Sequence, residues 1–366
     1  MKKIAYLFVL AAFMAACSSE PHYVVKGTIA GSDSVTFLLQ KRVASKIEIF
    51  DSAFSKKGTF KMSGKVEYPE MVQLVARNTT YRTSFFIENS AIAITGKLDS
   101  LFNAKVTGSK TQDDYQGYVD QIKPLSEQYS KIYIDFQGAR RANDTAKVSQ
   151  LEKEADAISN QMTGLERDFV KNNPASYFTP TLLRDLSMNM EPGEIESLIN
   201  ALDTNVAKVP IIKDIKDKVN AMKAVAIGQR APDFTLSDVN GNPVSLYSKV
   251  GSKLLLVDFW AAWCNPCRQE NPNVVKVYNE FHKKGLDIFG ISLDRTKEEW
   301  VKAIADDKLT WTHVADPQFG NNAAAKLYVV DFIPANFLLD ETGTIIARNL
   351  RGEALKNKVS EILNKK

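Results

Sequence analysis

The run Leu254-Leu255-Leu256-Val257 constrains the fold more than any other stretch of the chain. Four consecutive apolar residues of strand-forming character leave no polar face for water, so the strand must lie inside a sheet covered on both sides. A second such run, Leu286 to Ser292, follows after a helical pattern at about 266 to 284. Further helical patterns occupy about 296 to 307 and 353 to 364, and Asn336 to Leu339 with Thr344 to Ala347 reads as a hairpin across Asp340-Glu341-Thr342-Gly343. Strands alternating with helices over residues 227–366 predict an α/β sheet with helices on its faces.

Two regions precede it. From residue 23 to 110, short β-rich runs such as Val35 to Leu39, Val72 to Ala76 and Ile92 to Ile94 are separated by glycine-bearing turns. Seven such runs predict a small antiparallel sandwich or barrel. From 111 to 226 the pattern becomes helical, as in Tyr115-Tyr118-Val119-Ile122 and Leu151-Ala155-Ile158-Met162-Leu165. Asn172-Asn173-Pro174 and Glu191-Pro192-Gly193 interrupt it, so several helices are expected, forming a helical connector. Apolar residues at this spacing are read as packing faces, and neither region carries a catalytic constellation.

Residues 1–16 stand apart. Lys2 and Lys3 precede thirteen uncharged, mostly apolar residues, Ile4 to Ala16, a run that fits a signal-peptide core and is too short to span a bilayer as a helix. Its end, Met14-Ala15-Ala16-Cys17, resembles the lipobox of bacterial lipoproteins, with Met14 where Leu is usual. The resemblance implies cleavage before Cys17, lipidation of Cys17, and a tether over 17–22. The absence of Asp after the cysteine points, by the rule of thumb for such proteins, to the outer membrane. Loss of the leader lowers the formal net charge from +4 to +2, which gives no electrostatic case for nucleic acid.

With Cys17 committed to lipid, Cys264 and Cys267 remain. A disulfide between them closes a loop too short to restrict the unfolded chain appreciably, so its use is redox rather than structural. Zinc would need four ligands, and neither a second CxxC nor clustered histidine is present; haem attachment would need His where Arg268 stands. Cys264 at the start of a helix meets unsatisfied N–H groups that favour the thiolate, and Cys267, one turn on, can attack the mixed disulfide. No metal and no cofactor beyond the cysteine pair is expected.

The segment Val257-Asp258-Phe259-Trp260-Ala261-Ala262-Trp263-Cys264-Asn265-Pro266-Cys267-Arg268 resembles thioredoxin-fold oxidoreductases, in particular the TlpA/ResA-like group, over residues 227–366. A β-rich opening and helical connector ahead of such a domain also resembles that group. Pro272 falls where thioredoxins carry a proline within the helix. The resemblance further implies that Ile333-Pro334 is a cis-proline segment contacting substrate, and that Trp263 offers an apolar contact surface. Asp258 interrupts a buried run, where its pKa should rise, and occupies the thioredoxin buried-aspartate position suited to proton exchange with Cys267. Glu270 shares the helix face of Cys267 and resembles the active-site glutamate of ResA-like proteins; a surface acid near a helix N-terminus is the competing reading. Trp260, Phe259 and Phe234 are read as core, and His282 and His313 as structural.

The expected activity is thiol-disulfide exchange in the cell envelope, with reduction of protein disulfides favoured, and with a membrane electron donor of thioredoxin-reducing type as partner. Two alternatives remain open. Ile227-Gly228-Gln229-Arg230-Ala231-Pro232-Asp233-Phe234 also occurs in peroxiredoxin-like peroxidases, but Ala261 and Val257 replace the Thr and Pro of the peroxide pocket. A partner-binding scaffold lipoprotein with a secondary redox centre is the other.

Overall fold

A computed structural model describes residues 22–43, 46–316 and 322–364. The leader, Cys17 and nearly all of the tether lie outside the described residues. The chain divides into two compact units, one ending at Leu182 and the other beginning at Leu183.

The first unit opens with eight strands: β1 (Tyr23–Ala30), β2 (Thr36–Val43), β3 (Lys46–Phe54), β4 (Thr59–Gly64), β5 (Glu70–Ala76), β6 (Arg82–Ile87), β7 (Ala91–Lys97) and β8 (Lys105–Thr107). They form two four-stranded sheets, ordered β4-β1-β7-β8 and β3-β2-β5-β6. Alternate residues of each sheet meet in one core, with Val25, Ile29, Met62 and Ile94 from the first and Phe37, Leu39, Leu74 and Phe85 from the second. This is the predicted sandwich, with one departure. β1 and β7 run parallel, because the chain crosses to the other sheet before returning. Gly27 sits opposite Phe60, whose ring would lie 1.9 Å from a Cβ at residue 27, so only glycine fits there.

Two long helices follow, α1 (Lys110–Arg141) and α2 (Thr145–Asn172). Ser109 caps α1 by accepting from the Gln112 amide, and Asp144 caps α2 by accepting from Lys147. The short connection between them folds the pair into a hairpin, and Asn143 takes the left-handed conformation there, at φ 56°. Its root is fixed to β6: the Gln112 side chain accepts from the Phe86 amide at 2.9 Å, and Phe86, Tyr115, Tyr118 and Phe169 surround Phe178 at centroid separations of 5.2–5.7 Å.

The second unit takes the remaining helices, so the region predicted as one connector is divided. α3 (Thr179–Leu186) spans the division, and α4 (Pro192–Asn200) and α5 (Pro210–Ala224) lie within the second unit. The strands are β9 (Thr235–Asp238), β10 (Pro243–Ser245), β11 (Leu254–Trp260), β12 (Leu286–Ser292), β13 (Thr312–Ala315), β14 (Ala335–Asp340) and β15 (Ile345–Arg348), in the order β10-β9-β13-β12-β11-β14-β15. Four helices accompany them: α6 (Asn265–Phe281), α7 (Lys297–Asp306), α8 (Ala323–Leu327) and α9 (Gly352–Leu363). β11 is buried at every residue and sits between parallel β12 and antiparallel β14.

Period-two alternation sorts the sheet's side chains. Leu254, Leu256 and Trp260 pack with Val274, Val277 and Phe281 of α6, Trp300 of α7, and Leu355 and Val359 of α9. Leu255, Val257 and Phe259 face the opposite core, with Tyr328, Ala324 of α8 and Val225 at the end of α5. Burial of each such side chain contributes about 1.5–3 kcal/mol, so the two cores dominate the unit's stability.

Candidate active site

The site forms where β11 ends and α6 begins. Ala261, Ala262 and Trp263 leave the strand, and Cys264 is the N-cap of α6. Cys264 and Cys267 form a disulfide with Cα atoms 5.2 Å apart, and the two residues are 4% and 1% exposed. The Cys267 amide donates to Cys264 Sγ at 3.2 Å. That N–H is one of the unsatisfied donors of the helix start, and in the reduced protein it favours charge on Cys264.

Asp258 lies one strand turn back from the loop. As an even-numbered residue of β11 it shares the face of Leu256 and Trp260, beneath α6 and the cysteines that pack there. It is 7% exposed, and no hydrogen bond reaches its carboxyl among the described residues. Its pKa is pushed up to about 7, first by burial and then by the charge of Glu270, with Arg351 opposing. The carboxyl can therefore hold or release a proton near neutrality.

Glu270 turns to a different task. Its Oε1 accepts from the Gly352 amide at 2.8 Å and from Asn273 Nδ2 at 2.8 Å. Gly352 opens α9, whose own N-cap residue Arg351 provides no side-chain bond. The glutamate caps a neighbouring helix, a favourable place for negative charge, and its charge also raises the pKa of Asp258.

Ile333-Pro334 is cis and precedes β14. The Ile333 carbonyl oxygen lies 3.6 Å from Cys264 Sγ, which carries no proton in the disulfide and so contacts the oxygen without bonding to it. Trp263 is 58% exposed beside a cavity of about 520 Å³. Pro272 lies within α6. Trp260 and Phe259 are core, on opposite faces of the sheet; Phe234 packs against the core that holds Phe259, and His313 is buried between Trp260 and Trp311.

Three residues hold the site without having announced themselves in the sequence. Asp294, fully buried after β12, accepts from the Ala262 amide at 2.8 Å and from Ser292 Oγ at 2.8 Å, fixing the loop that carries Trp263. Asp307 receives a two-pronged contact from Arg268, Nε at 2.5 Å and Nη2 at 2.7 Å, and a third bond from Asn271, which clamps α6 to the end of α7. Arg351 donates to the Pro334 carbonyl. Each acts across a distance in sequence that no local motif spans; an acid two residues after a buried strand is the one available sign for Asp294.

The AhpC/TSA family matches residues 227–348, and a domain of unknown function, DUF4369, matches residues 23–115. A thiol-disulfide oxidoreductase ResA of Geobacillus thermodenitrificans is 32% identical over 142 residues, covering 38% of this chain and 79% of the relative. The chain belongs to the ResA-like thiol-disulfide oxidoreductases. The thioredoxin-like protein YneN of Bacillus subtilis is 40% identical over 121 residues, covering 32% of this chain and 68% of that protein. Among solved structures, the thioredoxin domain of a thiol-disulfide oxidoreductase from Bacteroides vulgatus is 42% identical, covering 38% of this chain and 99% of that chain with a TM-score of 0.36. The ResA-like likeness accounts for the redox domain. The peroxidase reading is not favoured. Ala261, where a peroxide pocket would need a hydroxyl, is wholly buried and apolar. Among the described residues no group of His, Cys, Asp and Glu is arranged to hold a metal.

Proposed function

We propose that this oxidoreductase reduces disulfides of proteins in the cell envelope, held there by lipid on Cys17. The observation that carries the reading is the pairing of a helix-capping Cys264 with a buried carboxyl, Asp258, that titrates near neutrality. Cys264 thiolate attacks one sulfur of the substrate disulfide, the S–S bond breaks, and the other substrate sulfur leaves as thiolate. Cys267 then loses its proton to Asp258 and attacks Cys264 Sγ, which releases the second substrate thiolate and leaves the enzyme disulfide. Two electrons have passed to the substrate, so a membrane dithiol donor of thioredoxin-reducing type must restore the enzyme.

Reduction is favoured over oxidation by the residues between the cysteines. Asn265-Pro266 contains no histidine whose charge could stabilise the thiolate strongly, as strongly oxidising sites require. No helix among the described residues is long and apolar enough to cross a membrane. The test is the equilibrium reduction potential of the full chain in detergent. A value near −270 mV, the thioredoxin region, supports the reductase; one near about −120 mV would reverse the direction.

A further inference from the structure

The cavity beside Trp263 is continuous in its lining with a second one, of about 280 Å³, that reaches Pro334; Lys218 and residues 329–331 line both. Lys218 belongs to α5, so one bank of this groove comes from outside the strand-and-helix alternation that builds the redox sheet. Its Nζ is 2.6 Å from Asp331, three residues before the cis-proline, which fastens α5 along the segment facing the cysteines. α5 is in turn braced by Lys223 against Glu196 of α4.

The charge of the groove is one-sided. Lys218, Arg295, Lys326, Arg348 and Arg351 line it, against the single carboxylate of Asp331. The whole chain carries 47 basic and 43 acidic residues, so this is a local excess rather than a property of the protein. Asp331 is taken by Lys218, and Arg295 and Lys326 have no ion-pair partner among the described residues. Arg348 lies over the Phe337 ring, and its buried Nε has no hydrogen-bond partner. Alongside these cations stand the exposed rings of Trp263 and Phe332.

Resting on the exchange activity above, we propose that this groove selects its substrates by charge. The occupant is an extended polypeptide segment with Asp or Glu within a few residues of the disulfide to be reduced. Its apolar side chains meet Trp263 and Phe332, and its carboxylates meet Arg295 and Lys326, with α5 as the wall that makes the groove deep enough to hold both. Charge complementarity of this kind raises the encounter rate and rejects the opposite charge.

The test uses the reduced full chain and three synthetic peptides with one internal disulfide each, identical except for Glu, Gln or Lys flanking the cysteines. Second-order rate constants for peptide reduction are read by acid quench at low and high salt. The Glu peptide should react at least about tenfold faster than the Lys peptide at low salt, and the advantage should shrink at high salt. In the Arg295→Glu, Lys326→Glu double variant the Glu-to-Lys ratio should fall to one or invert; these side chains carry no structural ion pair, so the fold is retained. Lys218→Gln should lower the same ratio more modestly. Equal rates for Glu and Lys peptides in the parent protein would overturn charge selection while leaving the exchange activity standing. Failure to reduce any of the three would overturn both.

Discussion

Asp258 and Asn336 face each other across β11 and β14, and only one of them is satisfied. The Asn336 amide donates to the Leu350 carbonyl at 2.7 Å and accepts from the Leu350 amide at 2.9 Å, while the Asp258 carboxyl has no hydrogen bond among the described residues. A buried carboxyl without a hydrogen bond costs stability even when neutral, and costs more when it ionises. Of the pair, Asp258 is the one whose ionisation costs stability.

That cost has a defined pH window. Asp258 titrates near 7 when folded and near 3.8 when unfolded, so between those values the folded chain binds more protons and stability falls as pH rises. Asp258→Asn should therefore be more stable than the parent at pH 8 by up to about 4 kcal/mol, and nearly equal to it at pH 4. The same variant should slow the Cys267-dependent step and abolish its pH dependence around 7. Denaturant midpoints at the two pH values, with single-turnover release of substrate thiol, check both; a parent profile flat around pH 7 would sink the assignment.

Cys264→Ser should lose exchange altogether. Cys267→Ser should instead accumulate a stable mixed disulfide, because the first attack survives and the resolving one does not. Mass spectrometry of the trapped adduct on Cys264 distinguishes the two roles, and an adduct on Cys267 in the Cys264→Ser protein would exchange them.

Glu270→Gln separates capping from catalysis. Removing the charge from the start of α9 should cost about 0.5–1 kcal/mol of stability. It should also lower the apparent pKa of Asp258, since the Glu270 charge is, after burial, the second cause that raises it. If Glu270 were itself the principal base, the substitution would instead remove the pH dependence entirely.

His313 predicts a separate acid limb. Burial among Trp260 and Trp311 lowers its pKa from 6.5 to about 3, so it is neutral in the fold and charges on unfolding below pH 6.5. Stability is full above that pH and falls by up to about 1.4 kcal/mol for each unit of acidification toward pH 3. His313→Leu should flatten this limb, measured by urea denaturation at pH 7 and pH 5.

The redox domain was legible because its signals are local. A buried strand opening on four apolar residues, Asp258 within it and a cysteine pair at the strand-to-helix junction lie within fourteen residues of one another in sequence. The sandwich was legible from its short alternating runs, yet the parallel pairing of β1 with β7 was not, because register between residues as far apart as Val24 and Ala91 leaves no local trace. The capping bond of Glu270 was hidden for the same reason: helix spacing shows which face it shares, and only the folded chain brings the Gly352 amide to it. Asp307 and Arg351 work wholly through such distant pairings, and the groove wall supplied by α5 belongs to a stretch that reads as a connector.

The placement of β1 has a consequence for the order in which the first unit assembles. β1 lies inside its sheet between β4 and β7, so it has no partner there until residues beyond 59 emerge, and it is enclosed only once 91–97 have followed. The α1–α2 hairpin, built from near neighbours, closes far faster. A chain threaded through a narrow channel from its amino end would thus present its first strand unpaired until β4 has followed it through. Completion of the sandwich is then set by the arrival of β7 and β8 rather than by the start of the chain.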